Sequence, residues 1–226
     1  MELEFEHLTR QLKLIPLDVL DTPITIIGAG AVGSFTTLSL AKMGFNNITV
    51  FDFDAVSVEN MNCQFYRFKD IGKQKVIALR ELVEEFSNIK ITAIDKAYEK
   101  DFHKGITIAA VDSMKVRQMI WNNHKELAFS TKLLIDPRMG AENALIYAMD
   151  PMNQTDIKSY EKSLYKDEDA VQEECTAKAT VYTAAMLAGQ VCKIVKDFTT
   201  KSTPYARITQ WSIAQNAYIS HASATK

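Results

Sequence analysis

Cysteine is scarce in this chain, at three in 226 residues, and none of the three stands in a Cys-x-x-Cys pair. A disulfide framework therefore has no basis, and a structural zinc site has no ligand set of its own. The four histidines, His7, His103, His124 and His221, are scattered without metal-ligand spacing and without a nearby nucleophile. Charge of one sign is also lacking: 26 basic residues face 28 acidic ones, for a formal net charge of −2. That balance excludes a nucleic-acid binder living on bulk electrostatics, and the basic residues form no stripe with aromatic platforms. No apolar run approaches the roughly 18 residues that span a bilayer. The opening Met1-Glu-Leu-Glu-Phe-Glu6 is acidic, the wrong sign for a signal peptide. A reducing cytoplasm is the expected location. There each cysteine is either core filling or chemistry.

What is present is an ordinary globular composition, with 47% hydrophobic and 24% charged residues. The length fits one large domain able to bury a core without staples. Ile24-Thr-Ile-Ile27 is a short β-branched run, read as a buried strand. It leads straight into Gly28-Ala-Gly30-Ala-Val-Gly33. Helical spacing follows from Ser34 to Met43, and Gly44 ends it as a helix C-cap would. Ile48-Thr-Val-Phe51 is the next strand, closing on Asp52. The whole is a βαβ unit.

Residues 53–72 read as irregular and polar. Gln74 to Phe86 is helical, with Val76, Leu79, Leu82, Val83 and Phe86 on one face. Further strands are expected at 89–94, 106–111, 133–135 and 144–149, with a helix from Lys115 to Ala128 carrying Met119 and Trp121 in the core. This alternation predicts an α/β fold: a Rossmann-like, doubly wound, mostly parallel sheet with helices on both faces. Residues 1–150 form its nucleotide-binding core. Residues 151–175 read as a charged crossover loop, a length usual for lids, binding loops or linkers. Residues 176–226 read as a helix–strand extension of the same domain. Val181, Ala184, Ala188, Val191 and Val195 share its helix face, Ala206 to Ile213 is the final strand, and a polar tail follows.

Gly28, Gly30 and Gly33 match G-x-G-x-x-G in the required setting, after a strand and opening a helix. Without side chains, Gly28 and Gly30 let the backbone approach a phosphate, whose charge a helix N-terminus favours. An acid about 20 residues on meets a ribose hydroxyl in such units, and Asp52 is placed for that. The motif by itself does not separate NAD from ATP, and a turn that merely packs is its bland alternative.

The next segment separates them. It reads Asp52-Phe-Asp54-Ala-Val56-Ser-Val-Glu59-Asn60-Met-Asn-Cys63-Gln64, then Gly72-Lys-Gln-Lys75. This resembles the ThiF/MoeB/HesA superfamily of ubiquitin-like-protein-activating enzymes, whose pattern runs D-x-D-x-V-x-x-S-N-L-x-R-Q and then G-x-x-K. Asp52, Asp54, Val56, Asn60, Gln64, Gly72 and Lys75 fall in register. Asp112-Ser-Met-Lys-Val-Arg117 resembles the family's T-D-N-x-x-x-R, and Arg10-Gln11 its upstream R-Q. The resemblance covers residues 8–197.

It implies ATP- and magnesium-dependent adenylation of the C-terminal carboxylate of a small ubiquitin-like or sulfur-carrier protein ending in Gly-Gly. Asp52 would hold the ribose. Asp54, Asn60 and Gln64 would line the nucleotide, with Asn60 and Gln64 bonding the phosphate region. Lys75 would neutralise charge growing on the phosphates. Asp112 would bind magnesium, a hard cation suited to carboxylate and phosphate oxygens. Arg10 would be an arginine finger delivered by the second subunit of a homodimer or heterodimer. No zinc is expected. Taken singly, each residue has a plainer reading: a strand-end aspartate caps a turn, and a lysine in a helix's first turn is solvated.

Two departures stand out. Cys63 replaces the family's phosphate-facing arginine, with Arg67 and Lys73 the nearest cations able to substitute, and Glu59 replaces its serine. Cys175, in Glu173-Glu-Cys175-Thr, resembles the start of the thioester-forming segment. A helix N-terminus would lower its pKa while the adjacent glutamates oppose that. The resemblance makes Cys175 the nucleophile that takes the carrier as a thioester. Cys192 reads as core. The rivals are adenylation of another acceptor, such as a peptide or a tRNA base, without a thioester; a non-catalytic partner subunit; and an NAD(P)-dependent oxidoreductase resting on the glycine turn.

Overall fold

Runs of β-branched and other apolar residues form the central strands, and helices cover both faces of that part of the sheet. The structure, a computed structural model, describes residues 6–100, 104–126, 130–165, 179–201 and 203–222. Strands β1 (Ile24–Ile27), β2 (Ile48–Asp52), β3 (Thr92–Asp95) and β4 (Gly105–Ala109) alternate with helices α1 (Ala31–Lys42), α2 (Lys75–Ser87) and α3 (Met114–Glu126). Then come β5 (Thr131–Gly140), β6 (Asn143–Met149), α4 (Gln154–Glu161), α5 (Val181–Thr200), β7 (Ala206–Ser212) and β8 (Ala217–Ala222). One sheet holds all eight strands in the order β3-β2-β1-β4-β5-β6-β7-β8. β3 through β5 pair in parallel, and β5 through β8 pair antiparallel.

All four residues of β1 are buried, as a strand covered on both faces requires. On one face Ile24, Ile26, Val50 and Ile108 pack with Leu40 of α1, Leu79 of α2 and Val191 of α5. On the other, Ile27, Phe51 and Leu134 pack with Trp121 of α3 and Tyr160 of α4. The doubly wound arrangement is therefore present. Gly44, at φ +95°, ends α1 in the left-handed conformation that glycine adopts freely, and a Cβ there would lie 2.7 Å from Leu8 Cδ1.

Several details differ from the sequence reading. The crossover contains α4, which starts where Asn153 Oδ1 accepts the Thr155 and Asp156 N–H groups. The polar tail contains β8, a hairpin partner of β7 with a neighbour on one side only among the described residues. Phe86 and Val181, placed on buried faces, are exposed. Trp121 and Cys192 are buried as expected, and burial pushes the Cys192 thiol up to about 12. No helix among the described residues is long and apolar enough to cross a membrane.

Candidate functional site

The chain runs from β1 through β2 to β3 in one direction across the sheet, then returns to place β4 on the other side of β1. In open α/β sheets ligands bind at such a reversal, outside the carboxyl ends of the strands. Here the glycine turn follows β1, and Asp112 follows β4 in the bend before α3.

The three glycines do different work. Gly28 has φ +98°, and a Cβ on it would sit 2.2 Å from the Ala110 carbonyl oxygen. A Cβ on Gly33 would sit 1.9 Å from the Gly28 carbonyl oxygen. These two let the turn pack against β4 and against itself. Gly30 caps α1 with no side-chain hydrogen bond, and a Cβ on it would meet nothing within 4 Å. The first-turn N–H groups of α1 therefore end at open space beside a residue with no side chain, the cradle an anion needs.

Asp52 ties this turn to the next loop. Its Oδ2 accepts the Ala29 N–H at 2.6 Å, and its Oδ1 accepts the Asp54 N–H at 2.8 Å. The plainer reading of Asp52 as a turn cap thus holds, and each oxygen keeps a lone pair for another donor. Asp54 accepts from Lys75 Nζ at 2.8 Å, while the Lys75 N–H donates to the Asp54 carbonyl at 2.8 Å. The Lys75 side chain is buried rather than solvated. Asn60 Oδ1 accepts the Ser57 N–H, which closes a turn; Gln64 Oε1 is buried and has no hydrogen-bond partner. A half-turn of that amide exchanges the oxygen for Nε2, a donor that a phosphate oxygen accepts. Gln64 precedes Phe65, whose N–H donates to Ser34 Oγ on α1 at 3.0 Å.

Cys63 is buried, which raises its thiol pKa, while the nearby Lys75 charge opposes the rise. Neither cation suggested as a substitute for the missing arginine is free. Arg67 binds Asp70 at 2.8 Å, together with Glu81 and Glu85, and Lys73 binds Glu81 at 2.8 Å. Burial alone would raise Asp70, but hydrogen bonds and charge from Arg67, then charge from Lys73, hold it below the usual carboxylate range.

Asp112 is exposed at the strand end. Its loop is held by Arg117, which donates to the Val111 carbonyl at 2.6 Å and to Asp136 Oδ1 at 3.0 Å. Asp136, fully buried, also accepts from Arg138 and from the Tyr160 hydroxyl. Among the described residues no group of three or more His, Cys, Asp or Glu could hold a metal. Magnesium needs no such cage, since it binds through one or two carboxylates together with substrate phosphates.

Arg10 is not brought to this site by its own chain. Leu8 packs at Gly44, and Gln11 Nε2 donates to the Met43 carbonyl, both at the far end of α1 from Gly30. Over twelve residues that separates Arg10's segment from the turn by about 18 Å. Cys175 and His103 lie outside the described residues. The sequence reading missed Tyr66, whose hydroxyl donates to the Ala29 carbonyl at 2.6 Å, and Asp136. A carboxylate within an apolar strand signals a buried partner and pointed to Asp136. No spacing pointed to Tyr66.

The ThiF family pattern matches residues 10–224, and the chain belongs to this family. The NEDD8-activating enzyme E1 catalytic subunit of Dictyostelium discoideum is 35% identical over 113 residues, covering 44% of this chain and 24% of that relative. The chain thus spans about a quarter of that relative's length. Among solved structures, PaaA superposes with a TM-score of 0.76 at 17% identity, covering 98% of this chain and 74% of PaaA. MccB of E. coli, solved with ATP, superposes with a TM-score of 0.74 at 15% identity, covering 96% of this chain and 71% of MccB. At those identities the likeness is one of fold.

Proposed function

We propose that this protein adenylates the C-terminal carboxylate of a small ubiquitin-like or sulfur-carrier protein, with ATP and magnesium. The observation that carries the reading is the glycine turn, open at Gly30 and tied through Asp52 to the loop where Lys75 pairs with Asp54, with Asp112 after the neighbouring strand. Family membership and the E1 relative support it. In the reaction a carboxylate oxygen of the carrier attacks the α-phosphorus of ATP. The bond to the bridging oxygen breaks, and pyrophosphate leaves with the electron pair. The α1 N-terminus faces the phosphates. Lys75, exchanging Asp54 for a phosphate oxygen, offsets charge that grows in the transition state. Asp52 holds the ribose, Gln64 contacts the phosphates, and Asp112 holds the magnesium. Arg10 enters from a second subunit. The Cys175 thiolate then attacks the acyl carbon and AMP leaves, giving a thioester.

Incubation with Mg-ATP and carriers ending in Gly-Gly, followed by a non-reducing gel, tests this. A thiol-sensitive adduct that vanishes in Cys175→Ala supports the full sequence. Carrier-dependent ATP–pyrophosphate exchange without such an adduct removes the thioester step and leaves adenylation of the carrier; exchange only with a peptide or a tRNA base decides for another acceptor. A second reading is favoured by Cys63 and by the engagement of Arg67 and Lys73 with acidic partners: a subunit that lends Arg10 to an active paralogue. Absence of exchange by the chain alone, with exchange on adding that paralogue, decides for it.

A further inference from the structure

We propose that Tyr66 is a positioning residue whose hydroxyl sets the direction of the Gly30 N–H and so the grip of the glycine turn on phosphate. The inference rests on the nucleotide reading above and adds to it a residue outside the family pattern quoted for this chain. Two consecutive peptide planes make up the turn. The Gly28–Ala29 plane is held by its N–H, which Asp52 accepts at 2.6 Å. The Ala29–Gly30 plane is held by its carbonyl, which accepts the Tyr66 hydroxyl at 2.6 Å. A trans peptide is planar, with C=O and N–H pointing opposite ways. Fixing the Ala29 carbonyl toward Tyr66 therefore fixes the Gly30 N–H away from it, at the residue whose side-chain position is open.

Without that anchor the plane is free to turn over. A flip changes ψ of Ala29 and φ of Gly30, and glycine accepts positive φ without steric cost. Flipped, the plane would present a carbonyl oxygen where phosphate needs a donor. The anchor is itself well held. The Phe65 N–H donates to Ser34 Oγ, and its ring meets Phe35 edge-on at 5.2 Å. Burial first, then the carboxylates of Asp52, Asp70 and Asp54, raise the Tyr66 pKa well above the usual tyrosine range. The hydroxyl thus stays a donor wherever the fold stands.

The test is calorimetric titration of Mg-ATP into the full chain and its Tyr66→Phe variant, at 10 °C, with melting curves of both. The expected result is a Kd raised about tenfold by loss of one hydrogen bond, with the melting temperature lowered only slightly. An equal Kd in wild type and Tyr66→Phe overturns the inference while leaving the nucleotide reading intact. A wild-type chain that binds no Mg-ATP overturns both. If Tyr66→Phe fails to fold, the Gly30 amide resonance of the wild type decides. A large shift on adding Mg-ATP supports the assignment, and an unmoved resonance overturns it.

Discussion

Single atoms separate the roles of neighbouring residues in the glycine turn. A methyl added at Gly33 would sit 1.9 Å from the Gly28 carbonyl, whereas one added at Gly30 meets nothing within 4 Å. Gly33→Ala is therefore expected to lower stability by about 3 kcal/mol in denaturant titration. Gly30→Ala, which puts a poorer N-cap on α1 without a clash, should cost only about 1 kcal/mol. Yet it should weaken ATP binding about tenfold, because the methyl would fill the space proposed for the phosphate. Equal binding by the Gly30 variant would remove the turn from the site. These glycines were legible because their spacing is local. The Tyr66 hydroxyl was not. Its partner lies 37 residues away, and a phenylalanine would fit the same hydrophobic pattern.

Between elements, the ion pairs that hold the loop against α2 are where pH acts. Asp70 is fully buried against Arg67 and also accepts the Arg67 N–H. Its folded pKa lies below the unfolded value near 3.9, so its contribution is fully present above about pH 4 and is lost as pH falls through the folded value. Asp70→Asn is expected to cost about 1–3 kcal/mol at pH 7, with the gap to wild type closing in acid. A gap that stays constant down to pH 2 would exclude this origin. The parallel half of the sheet was legible because its central strands are short continuous apolar runs, buried on both faces, and because α2 carries one apolar face. The helix α4 was not, because its buried Asp156 and Tyr160 are polar or part-polar groups whose partners include the distant Arg207 and Asp136. Nor was β8, whose side chains through His221 are exposed on both faces and so show no alternation.

For the whole molecule, the placement of Arg10 beside the C-terminal end of α1 makes a site complete in one chain impossible if Arg10 takes part. Arg10→Ala and Lys75→Ala chains, each inactive alone, should then complement each other when mixed. Half the dimers carry one intact site, so about a quarter of wild-type exchange activity is expected. No recovery after subunit exchange would confine Arg10 to its own chain. The fold as a whole was legible from strand and helix alternation, whereas the position of Arg10 depends on packing of Leu8, Ile15 and Leu20 that no spacing encodes.

Among the described residues β8 has no strand on its outer side, and this has a colloidal consequence. Its sequence, Ala217-Tyr-Ile-Ser-His-Ala222, contains no lysine, arginine, acid or proline, and Tyr218 and Ile219 are exposed. Proteins usually guard a bare edge with such residues, because unpaired backbone groups recruit strands from other molecules. Concentrated solutions of this chain should therefore scatter light increasingly with time, and Ile219→Lys should suppress that scattering without altering the melting temperature.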